Sequence, residues 1–197
     1  MLRLRPAPPR RRLALIAAVA SLSPQLDALG IRPLVAGDAA ERYALVRANP
    51  DLEEWMPWAA EQDLAATARF VAAAEKQLRE DDGFQAAIAP EGKIVGVVGF
   101  HSVDRVNRNT SIGYWLAAPA RGRGVMTTAV RALVDHAFGE WGLHRIEVHC
   151  APDNHRSRAV PERLGFREEA RLRETELVGG RYIDSVVYGL LAGEWEA

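Results

Sequence analysis

The sequence has a single cysteine, Cys150, so no disulfide can close within the chain, and a zinc site built from several thiolates is excluded. Lysine is nearly missing as well, with two residues against 23 arginines. That imbalance reads as a habit of composition rather than an arginine-rich binding site. Long apolar runs are lacking: the stretch from Leu13 to Leu22 falls short of the ~20 residues that a membrane-spanning helix needs. A large net charge is also absent. With a net charge of −1, 48% hydrophobic and 26% charged residues, the chain is not globally disordered, collagen-like or a coiled coil. Its 197 residues suit one domain with a full core.

The small net charge hides an uneven distribution. Arg3, Arg5, Arg10, Arg11 and Arg12 face one acid, Asp27, in the first 30 residues. Residues 31–197 then hold 20 basic and 25 acidic residues, a net of −5. A mildly acidic domain favours a cationic or amine-bearing partner over nucleic acid. The basic start, the apolar run and Ala18-Val19-Ala20 together have the shape of a secretory signal. A flexible extension, a short docking helix and a misassigned start codon are the alternatives for residues 1–30. The main domain is taken as 31–197.

Along that domain, Ile31–Val35 predicts a strand and Ala39–Ala48 a helix opened by Gly37-Asp38 and stopped by Asn49-Pro50-Asp51. Trp55-Met56-Pro57-Trp58 reads as an aromatic loop, and Asp63–Glu80 as a helix with Leu64, Phe70, Val71 and Leu78 at helical spacing. Three strands follow over 84–89, 93–103 and 110–117. Val125–Phe138 predicts a helix with Val130, Leu133, Val134 and Ala137 on one side. His144–Cys150 alternates as a strand, and Asn154–Leu164 forms a short helix closed by Gly165. Gly179-Gly180 joins two last strands, 166–177 and 182–191, as a hairpin. The order predicts an α/β (α+β) fold with a mixed sheet of six to seven strands and about four helices.

Arg121-Gly122-Arg123-Gly124-Val125-Met126-Thr127 stands between a strand and a helix. Glycines let backbone approach a ligand, and a helix start offers unpaired N–H groups to an anion. A diphosphate is the natural occupant. The segment is neither a P-loop nor the dinucleotide fingerprint, whose third glycine is missing. A second constellation, Asn154-His155-Arg156-Ser157, leads through Ala159-Val160-Pro161-Glu162-Arg163-Leu164 to Gly165-Phe166.

The two segments together resemble the GNAT superfamily of N-acetyltransferases. Arg121, Gly124 and Met126 match its Arg/Gln-x-x-Gly-x-Gly/Ala motif, with Met126 in place of a small residue, and Asn154 and Ser157 match its Asn-x-x-Ser motif. Trp55-Met56-Pro57-Trp58, Gly113-Tyr114-Trp115-Leu116, the segment Ser157–Phe166 and Gly180-Arg181-Tyr182-Ile183-Asp184 are similar to the branch that acetylates the N-terminal serine or alanine of ribosomal proteins. The resemblance spans residues 31–195.

What the resemblance implies is a mostly antiparallel sheet splayed at its middle, with acetyl-CoA in the splay. Backbone groups of Trp115, Leu116 and Ala117 would pair with the pantetheine amides. The pyrophosphate would rest on N–H groups of Arg121, Gly122, Arg123, Gly124, Val125, Met126 and Thr127. Asn154 would hold the pantetheine arm, although a plain N-cap role stays open. Glu176 would be the base acting through water, with Ser157 holding that water or protonating the thiolate. Cys150 would lie near the thioester without acting as nucleophile, and Tyr188 is a further proton donor. A backbone N–H near Leu116 or Ala117 would stabilise the oxyanion. Trp55 and Trp58 would line the acceptor cleft, where a packing role is equally open.

The implied reaction is direct transfer to a primary amine in a ternary complex, with a protein N-terminal α-amine preferred. A small-molecule amine (polyamine, amino sugar or antibiotic) and a non-catalytic acyl-CoA-binding module are the alternatives. No metal is expected, since His144, His149 and His155 lack ligand spacing. The expected setting is cytoplasmic, with no nucleic acid or membrane partner. A homodimer is left open.

Overall fold

The computed structural model describes residues 22–196. The basic start and the apolar run Leu13–Leu22, except Leu22 itself, lie outside the described residues. Of the expected extension, Pro24–Ala28 forms helix α1, capped by Ser23, whose Oγ accepts from Leu26 N at 3.2 Å. Leu26 is fully buried in the main core.

Seven strands form one sheet: β1 (Ile31–Pro33), β2 (Gln85–Ile88), β3 (Gly96–Asp104), β4 (Asn109–Leu116), β5 (Arg145–Cys150), β6 (Arg167–Val178) and β7 (Arg181–Leu191). Their order in space is β1-β2-β3-β4-β5-β7-β6. Every neighbouring pair is antiparallel except β4 and β5, which run parallel. The expected mixed, mostly antiparallel sheet is therefore present. The β6–β7 hairpin turns through Gly179 and Gly180, both at positive φ (55° and 78°), where glycine avoids the steric cost of a Cβ.

The remaining helices are α2 (Ala39–Arg47), α3 (Pro57–Ala60), α4 (Leu64–Arg79), α5 (Val125–Asp135) and α6 (His155–Arg163). Two apolar cores result. The larger packs α5 against the sheet through Val130, Leu133 and Val134, each without solvent exposure. Burying such side chains favours folding by roughly 1.5–3 kcal/mol each. The smaller core lies on the other face, where α2 and α4 meet Ala87, Val97 and Trp115. On α4 the inward residues are Thr67, Val71 and Ala74, while Leu64 at the helix start is 49% exposed.

The α5 helix departs from expectation at its end. Regular helix stops at Asp135 and one π turn follows over His136–Glu140, closed by Trp141 N donating to His136 O at 3.2 Å. The wider turn brings His136 edge-on to Trp141, with ring centroids 4.8 Å apart and planes at 70°. The site depends on a different irregularity. β4 and β5 pair at three positions, Asn109↔Arg145, Thr110↔Ile146 and Ser111↔Glu147, and then separate.

Candidate active site

The separation leaves one edge of β4 unpaired from Ile112 to Leu116. Hydrogen bonding alternates along an antiparallel strand, and Ala117 N donates to Val95 O at 2.8 Å. Ala117 N–H is thus occupied. By the same alternation the N–H and C=O of Leu116 turn away from β3, toward the open seam, where Leu116 O accepts from Arg121 Nε at 2.8 Å. An extended amide chain can lie in this seam as an added strand would.

At one end the seam leads to the glycine loop. Gly122 and Gly124 have φ of 74° and 77°, and a Cβ built on either would meet no protein atom within 4 Å. Their role is therefore conformation and open approach, not internal packing. Gly124 caps α5 without a side chain, and the first intrahelical bond runs from Thr128 N to Gly124 O. The N–H groups of Val125, Met126 and Thr127 are the unpaired donors of a helix start, suited to a phosphate. Met126 is buried in the core, so its longer side chain leaves this surface clear. Arg121 is committed to Leu116 O and to Asp51, whereas Arg123 is exposed and borders a 220 Å³ pocket beside the start of α5.

At its other end the seam opens into a cleft of about 900 Å³. Asn154, Ser157, Cys150, Glu176, Trp55, Trp58 and Trp115 all line it. Asn154 is the N-cap of α6, its Oδ1 accepting from Ser157 N at 3.0 Å, so it does serve as a cap while bordering the cleft. Ser157 Oγ lies 3.2 Å from Cys150 Sγ and donates to Tyr114 Oη at 3.4 Å. Tyr114 Oη in turn donates to Ser157 O at 2.9 Å. Burial pushes the Cys150 thiol above its ordinary value, partly offset by hydrogen bonds from Ser157 and Tyr114. Burial also holds the Tyr114 phenol well above its ordinary value. Both groups stay protonated at neutral pH.

Glu176 sits exposed on β6, after a bulge at which Glu174 adopts φ 54°. Tyr188 is not among the cleft residues. It is 1% exposed, receives a bond from Arg158 Nε at 2.8 Å and donates to Glu162 Oε1 at 2.7 Å. Desolvation and the Glu162 bond push its phenol up to about 12.

Three cleft residues escaped the sequence reading. Tyr114 lies within the segment Gly113-Tyr114-Trp115-Leu116, where the sequence assigns it no role. His101, on β3, faces Gly113 across the strand pair: a Cβ on Gly113 would stand 2.3 Å from His101 Nε2. Desolvation and the nearby His149 lower its pKa from the ordinary histidine value. Arg42, on α2, is 2% exposed and stands under the aromatic wall, its guanidinium carbon 4.4 Å from the Phe70 ring centre, 5.0 Å from Trp58 and 5.7 Å from Trp115. The inward face of α2 is Ala39, Arg42 and Val46, with arginine at a position where an apolar residue is expected.

Among the described residues, no group of three His, Cys, Asp or Glu side chains gathers as a metal site, and no helix is long and apolar enough to cross a membrane.

A splayed parallel strand pair feeding a glycine-capped helix start fits an acyl carrier with amides at one end and phosphates at the other. Residues 28–167 match the family described as an acetyltransferase (GNAT) domain, and the chain belongs to that family. It is an N-acetyltransferase with acetyl-CoA as the acetyl donor. YdaF of Bacillus subtilis (strain 168), a ribosomal N-acetyltransferase by name, is 37% identical over 161 residues, covering 80% of this chain and 88% of YdaF. Among solved structures, Mycobacterium smegmatis RimJ in complex with CoA-disulfide superposes with a TM-score of 0.78 at 30% identity, covering 83% of this chain and 82% of that one. The microcin C7 self-immunity acetyltransferase MccE, in complex with acetyl-CoA and AMP, gives 0.77 at 28% identity, covering 82% and 91%.

Proposed function

We propose that the acceptor is the α-amine of a protein or peptide N-terminus. The observation that carries this reading is the cleft itself, about 900 Å³, open along the seam and walled by the aromatic segment Trp55–Trp58, with an exposed glutamate on its rim. An α-amine has pKa ~7.7–8.0 against ~10.4 for lysine, so a useful fraction is already neutral and a modest base suffices. The names of YdaF and of the Escherichia coli ribosomal-protein-serine acetyltransferase, 33% identical over 101 residues, support the same acceptor class.

Acetyl-CoA supplies an activated acyl carbon, at which the amine forms the new N–C bond while the C–S bond breaks. Leu116 N–H, facing the seam, is placed to donate to the developing oxyanion. Val125, Met126 and Thr127 N–H groups hold the diphosphate, and Asn154 fixes the arm beside Ser157. Glu176 takes the amine proton through water. The hydroxyls of Ser157 and Tyr114 supply the proton for the leaving sulfur. Cys150 forms no acyl-enzyme, because its thiol is 5% exposed, kept protonated, and hydrogen-bonded to Ser157. His101 is a second candidate for the amine proton, favoured by its lowered pKa and its place on the cleft wall. An intracellular thioester as donor makes the cytoplasm the site of reaction.

The test is acetyl transfer to a panel of N-terminal peptides, polyamines and amino sugars, followed by thiol release and mass spectrometry. Acetylation of the α-amine of peptides beginning with serine or alanine is the expected result. Turnover confined to polyamines or amino sugars would replace this reading. Stabilisation by acetyl-CoA with no thiol release on any amine would mark a binding module.

A further inference from the structure

Arg42 is a buried cation for which the described residues provide no counter-ion. Of the five N–H donors of its guanidinium, Nη1 bonds Gln62 Oε1 at 2.8 Å, and the buried Nε has no partner among the described residues. No carboxylate of the described residues forms an ion pair with it. Its planar faces are covered by Phe70, Trp58 and Trp115, so water is largely excluded. An isolated charge in such a place is unfavourable, and a buried cation is ordinarily paired. Desolvation lowers its pKa to about 10, which leaves it charged at neutral pH.

The small surface that Arg42 keeps lies on the wall of the cleft, beside Gln62 and Phe70. A second guanidinium, Arg69, lines the same wall from α4, exposed and without an ion pair among the described residues. One carboxylate, Glu61, shares that wall, also exposed. Glu176 and His149 also line the cleft, on β6 and β5, the strands beyond the seam. The cleft thus offers a carboxylate for an amine on one side and a forked, pre-packed cation on the other.

We infer that Arg42, assisted by Arg69, forms an anion subsite for the acceptor: the preferred N-terminal segment carries an aspartate or glutamate within the few residues after the acetylated one. A guanidinium held rigid by three rings, with Nη1 on Gln62 and Nε enclosed, accepts a carboxylate at its remaining Nη donors with little further ordering. Gln62 holds the fork in register through Nη1. The inference rests on the α-amine reading above and adds to it the charge of the acceptor.

The experiment uses the full chain and two peptides that share an N-terminal serine and differ only in Asp and Glu against Asn and Gln at the next three positions. Steady-state acetylation is measured with both, and binding to the CoA-saturated protein is followed by tryptophan fluorescence, since Trp58 and Trp115 pack on Arg42. For the wild type, kcat/KM should favour the acidic peptide by about tenfold or more, mainly through KM. In Arg42→Met that ratio should fall close to one, and Arg42→Lys should restore part of it. Equal kcat/KM for the two peptides in the wild type overturns the subsite, as does a preference that survives in Arg42→Met. If Arg42→Met does not fold, the wild-type comparison and Arg69→Ala, which should narrow the ratio, still decide. If neither peptide is acetylated, the α-amine reading fails and fluorescence judges the subsite alone. Tighter binding of the acidic peptide supports it; equal or absent binding overturns it.

Discussion

The Sγ of Cys150 and the Oγ of Ser157 are 3.2 Å apart, although one ends β5 and the other opens α6 seven positions later. The contact brings a thiol, a hydroxyl and, through Ser157, the Tyr114 phenol to the point where the sheet parts. Both residues line the cleft, but their roles separate, since the thiol is buried and held protonated while Ser157 is only half-buried.

Substitution at this cluster should divide accordingly. Removing a general acid costs roughly 10²–10⁴ in rate, so the double variant Ser157→Ala/Tyr114→Phe should lose kcat on that scale. Cys150→Ala should keep kcat within about an order of magnitude, with a stability loss of roughly 1 kcal/mol from the vacated core. Single-turnover kinetics and mass spectrometry check both. A Cys150-linked acetyl group, or a collapse of kcat in Cys150→Ala, would require an acyl-enzyme.

The glycine loop predicts a split between folding and binding. Gly124→Ala places a Cβ where no protein atom stands within 4 Å, so its folding cost is the strain of φ 77°, roughly 1–2 kcal/mol. The same Cβ enters the approach to the helix start. Coenzyme A affinity should therefore fall by about tenfold or more, the loss of one charge-assisted hydrogen bond. Calorimetric titration beside thermal unfolding separates the two effects.

Acidification should weaken the fold through two histidines. His101 and His136 both have pKa values lowered by desolvation. A base with a depressed folded pKa binds fewer protons folded than unfolded, so its contribution is fully present above the unfolded value of ~6.5 and declines as pH falls toward the folded value. Tm should drop as pH falls below that value, and His101→Gln with His136→Gln should flatten the curve. A Tm profile identical to the wild type would contradict it.

Arg42 should reveal a conflict between stability and use. Lowering its pKa from 12.5 to about 10 corresponds to roughly 3 kcal/mol spent on keeping the charge buried. Three ring contacts of ~0.5–2 kcal/mol each offset that cost. Arg42→Met removes both terms, so urea unfolding should place its stability within about 1 kcal/mol of the wild type. A loss above about 3 kcal/mol would show a mainly structural arginine.

What could be read from the sequence follows the distance over which each contact acts. Asn154 and Ser157 are three apart at a helix start, so their mutual placement is local. The same holds for Gly122 and Gly124 before α5. All seven strands were legible from alternation and turn residues. The partners of Tyr114 were not, because Ser157 is 43 residues away across the seam. His101 was obscured on an ordinary-looking strand. Arg42 is hidden by composition: among 23 arginines nothing local distinguishes it, and only packing shows it facing inward between Ala39 and Val46. The π turn after Asp135 is not legible because Gly139 reads as a stop, and the contact between His136 and Trp141 that accompanies the wider turn joins residues on either side of that glycine.

Among the described residues, β4 and β5 are laced together by three rungs, Asn109 to Ser111 against Arg145 to Glu147, with Arg108 O accepting from the N–H groups of His144 and Arg145 just before them. The donor molecule, seated along the bare margin of β4, would act as a strut that finishes the lacing. Deuterium uptake in the second half of β4 should then slow when coenzyme A is added, while β2 and β3, flanked on both sides, keep their pace.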